Sequence, residues 1–387
     1  MKGYKLEQDY IFMDRAIQLA KQGCYTTSPN PMVGCVIVHD GHIISEGAHL
    51  LYGGKHAERL ALEHIPEIIL GATNISMYVT LEPCCHFGKT PPCCEQIVKS
   101  KITDVIYLLP DPNPLIAGKG IDSLKNKGIS IRQLQSVKLQ RKYRELNKGY
   151  FHKFDYKRPW IALKQAITLD GKIADYTNNS KWISSDHSRA DVHHIRAMSD
   201  AVLTSIKTIK QDDCKLTVRE LPESVNIGLH EIKQPICVIL DSSLSISEMD
   251  NIFKFHEKII VYTLKQADEI PEYLLKLQNL LIVTVPSING KINLTFVVED
   301  LSKRNINYLL VECGADLAGS FFKDNLVDEY ITYISPKLLG NHSKSSVWFD
   351  QIKTLENCLH FSLDHTSPSG DDIKAVWKPI HPEIRKL

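Results

Sequence analysis

Two short stretches carry the residues most able to do chemistry: His56-Ala57-Glu58, and the run from Met77 to Cys94. In the second, a β-type apolar run stops at Pro83 and a thiol, Cys84, follows at once. Another thiol, Cys93, comes after Pro91-Pro92 and opens what reads as a helix. One His and two Cys give three protein ligands and leave a fourth position open, the donor set of a catalytic zinc rather than of a structural one. The chemistry expected there is activation of water, with Glu58 taking its proton and handing it to a leaving group. The bland alternatives are packing for the thiols and a solvated helix face for Glu58. Four cysteines crowded between Cys84 and Cys94 favour metal binding for the cluster, while Cys85 and Cys94 taken singly read as packing residues. His86 stands in the same run as a competing ligand.

These residues need elements to hold them. Asp9 to Gln22 has apolar residues at helical spacing, with Gly23 as a stop. Val33 to Val38 reads as a strand, turned back by Asp40-Gly41 into Ile43-Ile44. Ala57 to His64 reads as a helix, and His56 and Glu58 converge only if His56 lies at its non-helical edge. Met77 to Leu81 reads as a strand. Cys93 to Lys99 reads as a short helix whose N-terminus favours a thiolate, and Asp104 to Leu109 as a further strand. The order α-β-β-α-β-α-β predicts a three-layer α/β domain.

The chain has 387 residues, enough for two domains, with 43% hydrophobic and 24% charged residues. A formal net charge of +1 gives no electrostatic case for nucleic acid or an acidic membrane. Ten cysteines are too sparse for a disulfide scaffold. The N-terminus lacks the apolar core of a signal peptide, and no apolar run is long enough to cross a bilayer, so a cytoplasmic location is expected.

A charged, helical stretch from Ile121 runs to a basic linker, and the boundary is placed there, giving domains 1–155 and 156–387. Beyond it, Trp160–Ile167, Ala201–Ser205, Ile236–Leu240, Ile259–Tyr262, Leu281–Val285 and Tyr308–Val311 are near-continuous apolar runs, as buried parallel strands are. Helices are expected over Asp186–Met198, near Leu301–Asn305 and from Leu317 onward. Such α/β sheets bind ligands at the carboxyl ends of their strands. Gly314 to Ser320, after one strand, could offer free N–H groups to a phosphate, although a plain strand-to-helix turn reads equally well. No G-x-G-x-x-G is present.

His56-Ala57-Glu58 and Glu82-Pro83-Cys84 fit the signature of zinc nucleobase deaminases, but the second Cys comes later than C-x-x-C would place it. That longer loop, His86-Phe87-Gly88-Lys89-Thr90-Pro91-Pro92-Cys93, resembles the deaminase half of the RibD family of bifunctional riboflavin-biosynthesis enzymes. So do Ser28-Pro29-Asn30-Pro31-Met32-Val33-Gly34-Cys35, Asp111-Pro112-Asn113-Pro114, Gly118-Lys119-Gly120 and Leu146-Asn147-Lys148-Gly149-Tyr150. Leu169 to Ala174, Ser180 to Ser184 and Asp212 to Arg219 resemble the reductase half, and the likeness covers nearly the full chain. It implies a cytidine-deaminase-like α/β/α domain followed by a dihydrofolate-reductase-like α/β domain. It implies one zinc per chain on His56, Cys84 and Cys93, with Glu58 as proton shuttle and Asn30, His49, His86 and Lys89 on the pyrimidine ribose phosphate.

For the second half the resemblance implies NADPH contacts at Ala166, Trp182, Thr208, Asp212, Ser242 and Gly314, Ala315, Asp316, Leu317, Ala318, Gly319 and Ser320. Substrate contacts are implied at Ser180, Arg196, Leu216, Arg219 and Glu312. The two arginines make physical sense, because a ribose phosphate needs fixed cationic donors. The implied activity is zinc-dependent hydrolytic deamination of a diaminopyrimidinone phosphoribosylamine, then NADPH-dependent reduction of its ribosyl group to ribityl. The implied partners are small-molecule pyrimidine ribose phosphates, with a homo-oligomer, dimer or tetramer, suggested by the family. Two other readings stand beside it: a cytidine or tRNA-editing deaminase fused to an unrelated reductase, and zinc and nucleotide modules kept for binding alone.

Overall fold

The structure, a computed structural model, describes residues 2–66, 74–86, 91–221, 232–349 and 354–380. Its contacts divide the chain into two units, Met1–Lys157 and Arg158–Leu387, two residues beyond the boundary expected from the linker.

In the first unit Asp40 and Gly41 both adopt positive φ (49° and 77°), the turn that matches strand twist, and fold β1 (Gly34–His39) onto β2 (His42–Ala48). The remaining elements are α1 (Lys2–Ala20), α2 (Ala57–Glu63), β3 (Ile75–Leu81), α3 (Cys93–Lys99), β4 (Ile102–Leu109), α4 (Lys119–Asn126), β5 (Ser130–Gln133), α5 (Val137–Leu146) and α6 (Lys148–Tyr156). The sheet runs β2-β1-β3-β4-β5, with β3, β4 and β5 parallel. Alternation along the strands fills two cores. Val36, Val38 and Tyr78 pack with Met13, Ile17, Leu139 and Phe151 from α1, α5 and α6. Cys35, Ile37, Met77 and Val79 pack on the other face with Ala57, Ala61, Ile97 and Leu124 from α2, α3 and α4. This is the three-layer arrangement, and it delivers α2, α3 and the end of β3 to one side of the sheet.

The second unit contains β6 (Trp160–Thr168), β7 (Lys172–Ala174), α7 (Asp186–Met198), β8 (Ala201–Ser205), α8 (Ile206–Asp212), β9 (Ile236–Leu240), β10 (Ile259–Thr263), α9 (Glu272–Leu275) and β11 (Leu280–Thr284). There follow β12 (Ser287–Ile288), β13 (Lys291–Ile292), α10 (Leu294–Lys303), β14 (Tyr308–Glu312), α11 (Ala315–Lys323), β15 (Glu329–Ser335), β16 (Lys344–Ser345), β17 (His360–Ser369) and β18 (Asp372–Ile380). The main sheet runs β11-β10-β9-β8-β14-β6-β15-β18-β17. It is parallel from β11 to β15, and β18 and β17 add an antiparallel edge. Ile161, Leu203 and Val311 pack against α10 and α11 on one face, while Ala162, Val202 and Leu310 pack toward α7 and α8 on the other. Parallel strands put all their carboxyl ends on one edge, where the second site lies.

Candidate active sites

In the first unit His56 is the N-cap of α2, with extended backbone (φ −74°, ψ 161°), so its ring leaves the helix where Glu58 enters it. Cys84 lies three residues past β3, and Cys93 opens α3. His56 Nδ1 is 3.3 Å from Cys93 Sγ and 3.5 Å from Cys84 Sγ. Among the described residues, these three form the one group of His, Cys or acidic side chains whose ligand atoms all lie within 4.8 Å of one another. Such separations match the edges of a tetrahedron around zinc, whose bonds run about 2.0–2.3 Å. The donor set therefore fits the metal.

The charges point the same way. The Cys93 thiol donates to Cys84 and, with His56, outweighs burial to bring the Cys84 thiol well below its ordinary value. The same contact and burial push Cys93 up, as expected for two thiols with one shared negative charge between them. Glu58 is buried, which raises its carboxyl, and hydrogen-bonds the Cys93 side chain, so it stands beside the ligands.

His49 Nδ1 lies 3.0 Å from the Lys55 carbonyl, Asn30 Nδ2 lies 3.2 Å from His49 Nε2, and the His49 ring meets the His56 ring edge-on at 5.3 Å. Asn30 and His49 are thus brought together beside His56 of the candidate metal group. A carbonyl on one nitrogen and an amide donor on the other fix His49 as a neutral Nδ1–H ring, and burial lowers its pKa. His86 is exposed and is not part of the ligand group. Lys89 lies outside the described residues.

Sequence reasoning missed Glu82. Its buried carboxylate accepts four backbone N–H groups: Asp111 (3.4 Å), Gly118 (3.1 Å), Gly120 (3.0 Å) and Ile121 (3.4 Å). Gly120 packs so closely on Pro83 that an added Cβ would lie 2.0 Å from the Pro83 carbonyl oxygen. The segment leading to Cys84 is thereby latched to the start of α4. Cys94 belongs to the same latch, its Sγ lying 3.5 Å from the Pro83 oxygen and 3.6 Å from that of Gly120. Asn147 pairs with the backbone of Met32 through both its oxygen (2.8 Å) and its nitrogen (3.1 Å), which steadies the loop carrying Asn30. The only trace of these roles in the sequence is the Gly-Lys-Gly spacing and the Leu146–Tyr150 motif.

In the second unit a cavity of about 1520 Å³ opens at the carboxyl ends of β6, β8, β9 and β14. Every residue expected at the cofactor or the substrate lines it except Ala318, which is fully buried in the core that α11 makes with the sheet. Three residues before Phe321, it shares that residue's inward face. Gly314 is the N-cap of α11, so the helix N-terminus opens on the cavity. Ser180 Oγ donates to Asp212 Oδ1 at 3.3 Å, joining one residue expected at the substrate to one expected at the cofactor. Trp182 is exposed beneath the Arg189 guanidinium, 4.3 Å from the ring centroid, and Lys337 Nζ donates to the Trp182 and Ile183 carbonyls at 2.7 and 2.9 Å.

Glu312 is the electrostatic centre of this cavity. Arg196 donates to it in a bidentate pair at 2.6 and 3.0 Å, and Lys164 Nζ lies 3.7 Å away. Burial alone would raise its carboxyl, but Arg196 and Lys164 outweigh that and bring it to about 2. Arg196 also donates to the Thr217 carbonyl at 3.2 Å. Its fork is therefore occupied by protein groups, unlike the free phosphate donor that its residue type suggested.

A His/Cys/Cys donor set beside a buried carboxylate in one unit and a cavity at the strand ends in the other define a two-site protein whose first site has the donor set of a catalytic zinc. Residues 6–109 match the cytidine and deoxycytidylate deaminase zinc-binding region, and residues 159–375 match the RibD C-terminal domain. The riboflavin biosynthesis protein RibD of Haemophilus influenzae is 38% identical over 96% of this chain and 98% of its own length. That of Escherichia coli is 38% identical over 95% and 98%. The structure of Acinetobacter baumannii RibD, form 2, superposes with a TM-score of 0.88 at 36% identity, covering 97% of this chain and all of the other. The chain belongs to the RibD family, bifunctional deaminase/reductases of riboflavin biosynthesis that act on small molecules with zinc and NADPH as cofactors. Among the described residues, no helix is long and apolar enough to cross a membrane.

Proposed function

We propose that the first unit deaminates 2,5-diamino-6-(5-phosphoribosylamino)pyrimidin-4-one and that the second reduces the ribosyl group of the product, 5-amino-6-(5-phosphoribosylamino)uracil, to ribityl with NADPH. A Thermotoga maritima relative, 32% identical and superposing with a TM-score of 0.81, is described as the deaminase and reductase of this pair. The observation that carries the reading is the convergence of His56, Cys84 and Cys93 beside a buried Glu58, with Asn30 and His49 at the same place.

His56, Cys84 and Cys93 would hold the zinc, which when bound would lend Lewis acidity to a water at the open position. Glu58 takes the proton of that water and returns it to the departing ammonia, and its burial keeps the carboxyl basic enough to do both. Asn30 and His49 orient the pyrimidine, with His86 and Lys89 assigned to its ribose phosphate. In the second unit NADPH, when bound in the cavity, would supply the hydride. Trp182, Thr208, Asp212, Ser242 and the N-terminus of α11 at Gly314 position the cofactor, while Ser180, Leu216, Arg219 and Glu312, braced by Arg196, position the substrate. The working domains are residues 1–155 and 156–387, in a cytoplasmic homo-oligomer.

The test follows ammonia and NADPH separately. Removing zinc with a chelator is expected to abolish ammonia release while leaving NADPH oxidation by the already deaminated intermediate intact. Ammonia release at the normal rate from the metal-free protein would sink the reading.

A further inference from the structure

Of the two arginines at the second-unit cavity, Arg196 is engaged by Glu312 and by the Thr217 carbonyl. Arg219 also lines the cavity and is exposed to it, and among the described residues its guanidinium makes no hydrogen bond or ion pair. Yet an arginine on a connecting segment makes a useful anion donor only if its backbone is held, because ordering it otherwise costs entropy at each binding event.

We propose that His193 is a positioning residue that aims Arg219 at the phosphate of the reductase substrate. This rests on the reading of Arg219 given above and deepens it. His193 lies on α7, is 4% exposed and lines the same cavity. The backbone N–H of Arg219 donates to its Nδ1 at 3.3 Å. One turn further along α7, Arg196 Nη1 grips the Thr217 carbonyl at 3.2 Å. From the other side Gln234 brackets Val218, accepting its N–H at 2.8 Å and donating to its carbonyl at 3.0 Å. Each of residues 217–219 is thus held through at least one backbone hydrogen bond, with Arg219 as the cation they present.

An accepting Nδ1 requires a neutral imidazole with its proton on Nε2. Burial, then Arg196 and Arg219, push the His193 pKa down to about 4, so the ring stays an acceptor at neutral pH. The Glu220 carboxylate, 3.8 Å from Nε2, is too far to hydrogen-bond it. No other part of the reaction uses this buried histidine, and a leucine would fill its space without offering the acceptor.

The experiment uses the full-length enzyme with zinc and NADPH and measures four quantities: KM for the deaminated pyrimidine phosphate, KM for NADPH, kcat for reduction, and ammonia release. His193→Leu is expected to raise the first about 10-fold, leaving the others within about two-fold. His193→Asn, whose Oδ1 falls near the Nδ1 position, is expected to keep KM within about three-fold of the parent. Arg219→Ala should raise the same KM, and adding His193→Leu to it should have little further effect, because both changes remove one contact. If Arg219→Ala raises KM and His193→Leu does not, or if the two effects multiply, the positioning role is overturned and the phosphate reading of Arg219 stands. If Arg219→Ala leaves KM unchanged, the phosphate reading falls and the proposal falls with it. Should His193→Leu fail to fold, His193→Asn decides, since a folded Asn variant with the raised KM overturns the proposal.

Discussion

At the scale of single residues, the first site turns on a carboxylate that touches the ligands without being one. Glu58→Gln keeps the shape and the hydrogen bond but cannot accept a proton, so ammonia release is expected to fall about 10²–10⁴-fold. KM should change little, and zinc content, read by metal analysis, should stay at one per chain. In the second site Glu312 neutralises two mostly buried cations, Arg196 and Lys164, whose side chains are 11% and 15% exposed. Glu312→Gln leaves Arg196 and Lys164 without a counter-charge and is expected to destabilise the second unit by about 3–5 kcal/mol in urea unfolding. Its folded carboxyl titrates near 2, below the ordinary glutamate value of about 4.3, so the stability it contributes is complete above that value. That stability is lost as pH falls through the window between about 4.3 and about 2. The stability difference between parent and Glu312→Gln should therefore shrink across the window, and a difference that is flat with pH would contradict the assignment.

At the scale of elements, the approach of α4 to the chain segment before Cys84 is set by one bare backbone position. Gly120→Ala forces a methyl against the Pro83 carbonyl and should lower zinc retention under mild chelation, with about 1–3 kcal/mol of lost stability in the first unit. NADPH oxidation with the deaminated intermediate should be untouched.

The elements also show how much could be read from the chain. The Met77–Leu81 strand, the Cys93–Lys99 helix and the Asp40-Gly41 turn were legible because apolar runs and positive-φ residues leave local marks. β17 was missed because it is an exposed edge strand with no apolar alternation, and β5 because it is four mostly polar residues. β15 was missed although buried, since Glu329 and Thr332 interrupt its apolar run. α10 begins seven residues before its expected start because Asn293 caps it, accepting from the Phe296 N–H. The convergence of His56, Cys84 and Cys93 was legible from residue type and spacing. The four N–H groups on Glu82, the occupied fork of Arg196 and the inward face of Ala318 were not, since each depends on backbone brought from far along the chain or on which side of a helix faces the sheet.

At the scale of the whole molecule, each hydrophobic core draws its residues from one unit only. Two units with separate cores need not unfold together, and a ligand stabilises only the unit that binds it. Calorimetry is expected to show two transitions, of which chelation lowers one and NADPH raises the other. A single transition that moves with both ligands would mean that the units unfold as one body.

The latch on Glu82 bears on where a catalytic module ends. Residues 6–109, the span that matches the deaminase zinc-binding region, contain His56, Cys84, Cys93 and Glu58. They do not contain a single one of the four N–H groups that satisfy the Glu82 carboxylate, which come from residues 111 to 121. A graft cut at the end of β4 would carry His56, Cys84, Cys93 and Glu58 together with a buried, unanswered charge two residues from Cys84. Portability of this centre is therefore decided by a stretch of chain that performs no chemistry.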